Sequence, residues 1–164
     1  MTSGKLRDWL EIVGIFSVVA SLVFVGLQMR QARDISLSQA YQARTTAAAE
    51  FSASFAANPV ALSGYRKAVQ GSGDLSQEEY DSLRRMVIAV MYLYDNAHLQ
   101  YQMGFVSEEF WSTTRASMKI FMEPEVIRSM FRARLPYQGR PEFQVVVRTI
   151  DAELEAERTA GSDS

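Results

Sequence analysis

The chain has no cysteine and a single histidine, His98. The first absence excludes disulfides, zinc–thiolate sites, iron–sulfur clusters and a thiol nucleophile. The second removes most metal sites and every Ser-His-Asp arrangement that does not recruit His98 or another chain. Proline occurs four times, and no proline or glycine interrupts the stretch from Arg30 to Asn58. Charge of one sign is also missing. With 17 basic and 19 acidic residues the net charge is −2, so there is no basic surplus of the kind that nucleic-acid binding needs. Glycine-rich phosphate loops are absent too. Gly71-Ser72-Gly73-Asp74 lacks both a following lysine and a preceding strand, and no Gly-x-Ser-x-Gly turn or internal repeat is found.

The most informative segment is Ile12 to Leu27, IVGIFSVVASLVFVGL, sixteen residues without a charge. Crossing ~30 Å of hydrocarbon takes about 20 helical residues. Trp9 to Met29 has that length, with Trp9 at an interfacial position and Lys5, Arg7, Arg30 and Arg33 as flanking anchors. A cleaved signal peptide is a rival reading, but Gln28-Met29-Arg30-Gln31 offers no small-x-small site. A buried core helix is the other rival, because sixteen residues is slightly short. The retained anchor, residues 1–30, is the expectation adopted. Lys and Arg counts near the ends lean towards a cytoplasmic C-terminal domain. Gly14, Ser17, Ser21 and Gln28 fall within roughly 60° of one another on the helical wheel. They form a candidate transmembrane association face, since small residues allow close approach and polar ones can bond across.

Beyond the anchor, residues 31–158 read as an all-α domain. Alanine and glutamine dominate 31–57, so the membrane helix is expected to continue as a stalk, with Leu37, Tyr41, Ala48, Phe51 and Phe55 on its covered stripe. Asn58-Pro59 is a stop and restart. Helices are expected at about 59–69, 77–103, 108–121, 124–134 and 141–158. Their boundaries follow from local chemistry: a capping box at Ser76 and Glu79, Gly104 as a left-handed C-terminal residue, Ser107 as an N-cap, and breaks at Pro124 and at Leu135 to Gly139. Glu153, Glu155 and Glu157 oppose the dipole of the last helix, which predicts a frayed end and a disordered tail at 159–164.

Chemistry-bearing residues are few. Asp95, Asn96, His98 and Gln100, flanked by Tyr94 and Tyr101, form the most polar cluster on an apolar helix. Asp95 and His98 are three apart and share a face. An acid-x-x-His pair resembles one half of the di-iron motif of ferritin-like bundles, but one histidine cannot supply the other half. The alternatives are a polar network that fixes helix register, or ligand contacts inside a sensing bundle. Glu78-Glu79 and Glu108-Glu109 occupy first turns of helices, where carboxylates favour the dipole without any catalytic role. The methionines and aromatic residues sit mostly at helical spacing, as core residues do.

Phe24-Val25-Gly26-Leu27-Gln28, then Asp95 to Gly104 (DNAHLQYQMG), then Trp111 follow an order that resembles bacterial single-pass membrane-anchored helical proteins of unknown function. The resemblance implies an acid-Asn-x-x-x-Gln-Tyr-x-x-Gly pattern on the middle helix. It carries no catalytic residue with it. Residues and resemblance together lead to the expectation of a membrane-tethered interaction or accessory module, without enzymatic activity or cofactor. Its partners would be the lipid bilayer and either a second copy or another membrane protein, and its location the bacterial inner membrane. A ligand-sensing bundle coupled to the stalk helix is the alternative.

Overall fold

The computed structural model describes residues 3–72, 74–137 and 139–162. Gly73 of the expected loop, Gln138 of the expected break, and the outermost residues of the anchor and tail (1–2 and 163–164) lie outside the described residues. The fold is all-α: α1 (Ser3–Ala56), α2 (Pro59–Val69), α3 (Gln77–Gln102), α4 (Glu108–Met122), α5 (Glu125–Arg134), a 3-10 turn (Leu135–Tyr137) and α6 (Pro141–Ser162). The chain divides into two compact units, Met1–Arg44 and Thr45–Ser164.

The first unit is helical throughout its described residues. Its apolar side chains point outward on every side, with Phe16 70% and Leu22 67% exposed. Among the described residues one helix is long and apolar enough to cross a membrane. The helical stretch Trp9–Ala56 contains a window of mean hydropathy 2.4 with none of it buried. A core helix of a water-soluble fold would be covered by protein, and this one is not. Ser17 and Ser21 donate their hydroxyls back to the carbonyls of Val13 and Ser17, both at 2.8 Å. Ser36 and Ser52 make the same bond further along α1, to the carbonyls of Ala32 and Ala48, so each hydroxyl is satisfied within its own helix.

In the second unit α3 packs against α2, α4 and α5, and α4 also packs against α5 and α6. The core is built from Leu83, Val87 and Met91 of α3, Met118 and Met122 of α4, Ile127 and Phe131 of α5, and Phe143, Val147 and Ile150 of α6. Phe51 and Phe55 at the end of α1 pack against it, Phe55 meeting Tyr65 edge-on at 5.8 Å. Asn58 caps α2 by accepting from the Ala61 N–H at 3.0 Å, with Pro59 as the first helical residue. α2 lies close on the start of α3: a Cβ on Gly64 would stand 3.0 Å from the Glu79 carbonyl oxygen. Ser76 and Glu79 form the capping box of α3, and Glu79 also accepts from Ser63 at 2.6 Å and Lys67 at 2.7 Å. Those bonds hold its carboxyl far below the usual range, at about 2.

Two expectations need correction. Tyr41 is 61% exposed and Ala48 is exposed, with the Arg44 guanidinium 5.7 Å from the Tyr41 ring. The half-buried positions are Leu37, Ala40, Arg44, Ala47, Phe51 and Phe55, a stripe rotated towards the small alanines. The last helix does not stop near 158 with a tail after it, but continues to Ser162. The carboxylates expected to fray it are neutralised by cations on other helices. Glu153 pairs with Arg115, Glu157 with Lys119 at 2.6 Å, and Glu155 with Arg132 at 2.6 Å. Paired charge no longer opposes the helix dipole as a lone carboxylate would.

Candidate functional site

The polar cluster singled out on the sequence lies at the C-terminal end of α3. That end is closed by a Schellman motif. Gly104 takes φ +72° and donates to the Tyr101 carbonyl at 3.0 Å, and Phe105 donates to the Gln100 carbonyl at 2.8 Å. Gly104 has no Cβ to oppose this left-handed turn. The chain then leaves for α4, which starts at the Ser107 cap.

The residue that organises the cluster comes from elsewhere. Arg140 immediately precedes Pro141, so its backbone is held away from the helical region. Its carbonyl accepts the first bond of α6 from Gln144 at 2.9 Å. From there its side chain reaches back to α3. Nε donates to Asp95 Oδ1 at 3.1 Å, one terminal nitrogen to Gln102 Oε1 at 2.7 Å, and the other to the Asp95 carbonyl at 3.1 Å. That last nitrogen also stands 3.4 Å from His98 Nδ1. A guanidinium only donates, so Nδ1 must be the acceptor and the imidazole proton sits on Nε2. Burial, and next the charge of Arg140, push His98 below its ordinary pKa. Asp95 and Glu142 oppose this more weakly.

The remaining sides of His98 are closed by rings. It is 6% exposed, with Trp111 of α4 at 4.8 Å and Phe143 of α6 at 6.1 Å between centroids. Tyr101 stacks on Trp111 at 5.8 Å. Tyr94 contacts Phe121 at 6.5 Å, and its hydroxyl lies 3.5 Å from that of Ser117. Burial raises the Tyr94 phenol above its usual value. Asp95, His98 and Tyr101 thus meet in one joint between α3, α4 and the start of α6. Tyr94 belongs to the neighbouring aromatic contact. Asn96 is exposed and outside the joint, and Gln100 contributes its backbone carbonyl to the helix end.

Sequence reasoning missed Arg140 and Gln102. A signal existed: Asp95, His98 and Gln102 repeat at helical spacing with acceptors facing one way, which calls for a donor-rich cation. What could not be read was which arginine supplies it, since the bond spans 45 residues. Among the described residues no group of three or more His, Asp or Glu side chains converges as metal ligands. The positive charge beside Asp95 and His98 is the guanidinium. Chemically the joint is a lock, because Arg140 ties Asp95 and Gln102 to the start of α6 and the rings around His98 are in mutual contact.

No family model, no curated protein and no solved structure matches the chain.

Proposed function

We propose that this protein is a single-pass, membrane-tethered helical interaction module that acts by binding rather than by catalysis. The observation that carries the reading is the uncovered apolar helix beginning at Trp9. Its exposed side chains would cost roughly 25 cal/mol per Å2 in water, and lipid is the solvent that removes that cost. A compact helical domain on the same chain, with its polar cluster locked by Arg140, supports a binding role.

Arg30, Arg33 and Arg44 outnumber Lys5 and Arg7, which favours a cytoplasmic C-terminal domain by the positive-inside rule. The resemblance at Asp95 to Gly104 favours a bacterial inner membrane. Gly14, Ser17, Ser21 and Gln28 are the surface for a second copy or a partner span. The serine hydroxyls are already bonded within the helix, so their contribution is close approach, and Gln28 is the donor left for a neighbour. The test is crosslinking in native membranes, with Gly14→Ile as the probe. A Cβ at Gly14 meets nothing within 4 Å, so the substitution leaves the single helix undisturbed. The crosslinked species is expected in the parent and weakened in the variant. A chain that is monomeric and unpartnered at native abundance would refute the interaction role.

A further inference from the structure

The arginines that tie helices together in this domain differ in what holds them. Arg128 and Arg132 each face three carboxylates, Glu125, Asp151 and Glu155. Arg140 is bonded to one carboxylate, Asp95, and otherwise faces neutral acceptors: the Asp95 carbonyl, Gln102 Oε1 and, at 3.4 Å, His98 Nδ1. Of these acceptors only an imidazole takes up a proton near neutral pH. His98 accepts at Nδ1 only while it is neutral, because both ring nitrogens of an imidazolium donate. One added proton therefore abolishes an acceptor and sets two cations side by side. The ring is 6% exposed, so little water is there to screen them. The charged groups around His98 are Asp95 on α3, Arg140 ahead of α6 and Glu142 on α6, while α4 faces it with the uncharged Trp111. Asp95 and Glu142 favour the imidazolium. Burial and Arg140 oppose it more strongly and hold the titration below its ordinary range.

We infer that this joint is a proton-operated latch, in which a proton taken up at His98 Nδ1 expels the Arg140 guanidinium from the end of α3 and frees the start of α6. Geometry decides which of the two partners yields. His98 is held in place, with the Trp111 and Phe143 rings at 4.8 Å and 6.1 Å between centroids. The Arg140 side chain is 29% exposed, so it can swing into water, which solvates a free guanidinium well. Its bonds to the Asp95 carbonyl and Gln102 go with it, and these are what tie α3 to the residue ahead of Pro141. The body of α6 stays docked, because Phe143, Val147 and Ile150 are in the core with at most 1% exposure. Opening is thus local to the seam between α3 and α6. The coupling is reciprocal: a docked Arg140 holds the proton off His98, so the proton must loosen Arg140 by the same factor. Arg128 and Arg132 have no histidine among their partners, so mild acidification leaves their ion pairs in place.

The test uses the full chain in neutral-lipid nanodiscs, titrated by NMR from about pH 7.5 to about 4.5, above the range in which Glu79 protonates. Three signals are followed together. The imidazole of the single histidine reports the proton, and the Arg140 Nε–H resonance reports the latch. The methyls of Met91 and Met118, both buried in the core, report global change. The expected result is that Arg140 moves to the shift of a solvated arginine with the same midpoint as His98, below pH 6.5, while both methyls stay put. His98→Gln keeps a neutral side chain and cannot take the proton. In that variant Arg140 should hold one position across the whole range. Should the variant not fold, the agreement of the two midpoints in the parent decides. Four results would overturn the inference: a His98 that stays neutral throughout, an Arg140 signal indifferent to its titration, the same Arg140 transition in His98→Gln, or methyl shifts that accompany it. None of these readouts depends on what the transmembrane helix binds.

Discussion

Replacing Arg128 by methionine tests how the last two helices are held. The Arg128 side chain is 3% exposed and lies among three carboxylates. Its Nε donates to Glu125 at 3.1 Å, a terminal nitrogen also bonds Glu125, and Glu155 lies at 3.4 Å and Asp151 at 3.9 Å. Removing one partner of a fully buried pair costs about 3–5 kcal/mol. Here the carboxylates are 45%, 45% and 23% exposed, so water already solvates part of their charge. Arg132 also stays to hold Asp151 at 2.8 Å and Glu155 at 2.6 Å, and Arg158 holds Glu125 at 3.2 Å. The cost of Arg128→Met should therefore fall to about 2–3 kcal/mol, since methionine retains most of the packing of the arginine stem. For a domain of this size that is a fall in Tm of roughly 8–12 °C. Thermal unfolding of the full chain in detergent, followed by far-UV circular dichroism, measures it. In 1 M salt the gap between parent and variant should narrow, because the Debye length drops to about 3 Å. A variant as stable as the parent, or more stable, would refute the reasoning. It would mean that the desolvation of Arg128 outweighs its three attractions.

Three further outcomes follow from the same structure. Arg140→Ala should cost about 1–2 kcal/mol, because its bonds to Asp95 and Gln102 are charge-assisted but the side chain is 29% exposed. It should also raise the His98 pKa towards its ordinary 6.5, read directly from the imidazole NMR signal of the only histidine. Acid titration of stability should show two separate windows. His98 has a folded pKa below 6.5, so folding binds fewer protons than unfolding there, and stability begins to decline as pH falls below about 6.5. Glu79 is depressed from 4.5 to about 2, so its contribution is whole above 4.5 and is lost as pH falls through 2. His98→Phe should remove the first decline and Glu79→Gln the second; either loss persisting unchanged in its variant would sink the assignment. Gly64→Val should destabilise despite valine's better helix propensity than glycine, because its Cβ would press on the Glu79 carbonyl at 3.0 Å; a higher denaturant midpoint would contradict this.

The parts of the fold legible in sequence are those set by chemistry within a few residues. Asn58-Pro59, Ser76 with Glu79, Ser107 and Gly104 each satisfy orphan backbone groups next to themselves, so the boundaries of α2, α3 and α4 could be read off directly. The uncharged run from Ile12 needed only a length and a hydropathy. What could not be read depends on partners far along the chain. Glu153, Glu155 and Glu157 look destabilising on their own helix, and only the presence of Arg115, Lys119 and Arg132 on α4 and α5 reverses their effect. The covered stripe of α1 was misplaced because aromatic Tyr41 outweighed Ala40 in a hydrophobicity reading. Ala40 is half-buried, whereas Tyr41 one residue on is 61% exposed. The candidate site was half visible: α3 announced Asp95 and His98, whereas Arg140, one residue before a helix-starting proline, gave no sign of its target.

The account stands or falls on the solvent of the helix that begins at Trp9. The decisive measurement is alkaline carbonate extraction of native membranes, followed by intact mass of the recovered protein. The account predicts a polypeptide that stays in the pellet and retains residues 9–29. Release into the supernatant, or a mature chain that begins after Met29, would contradict it.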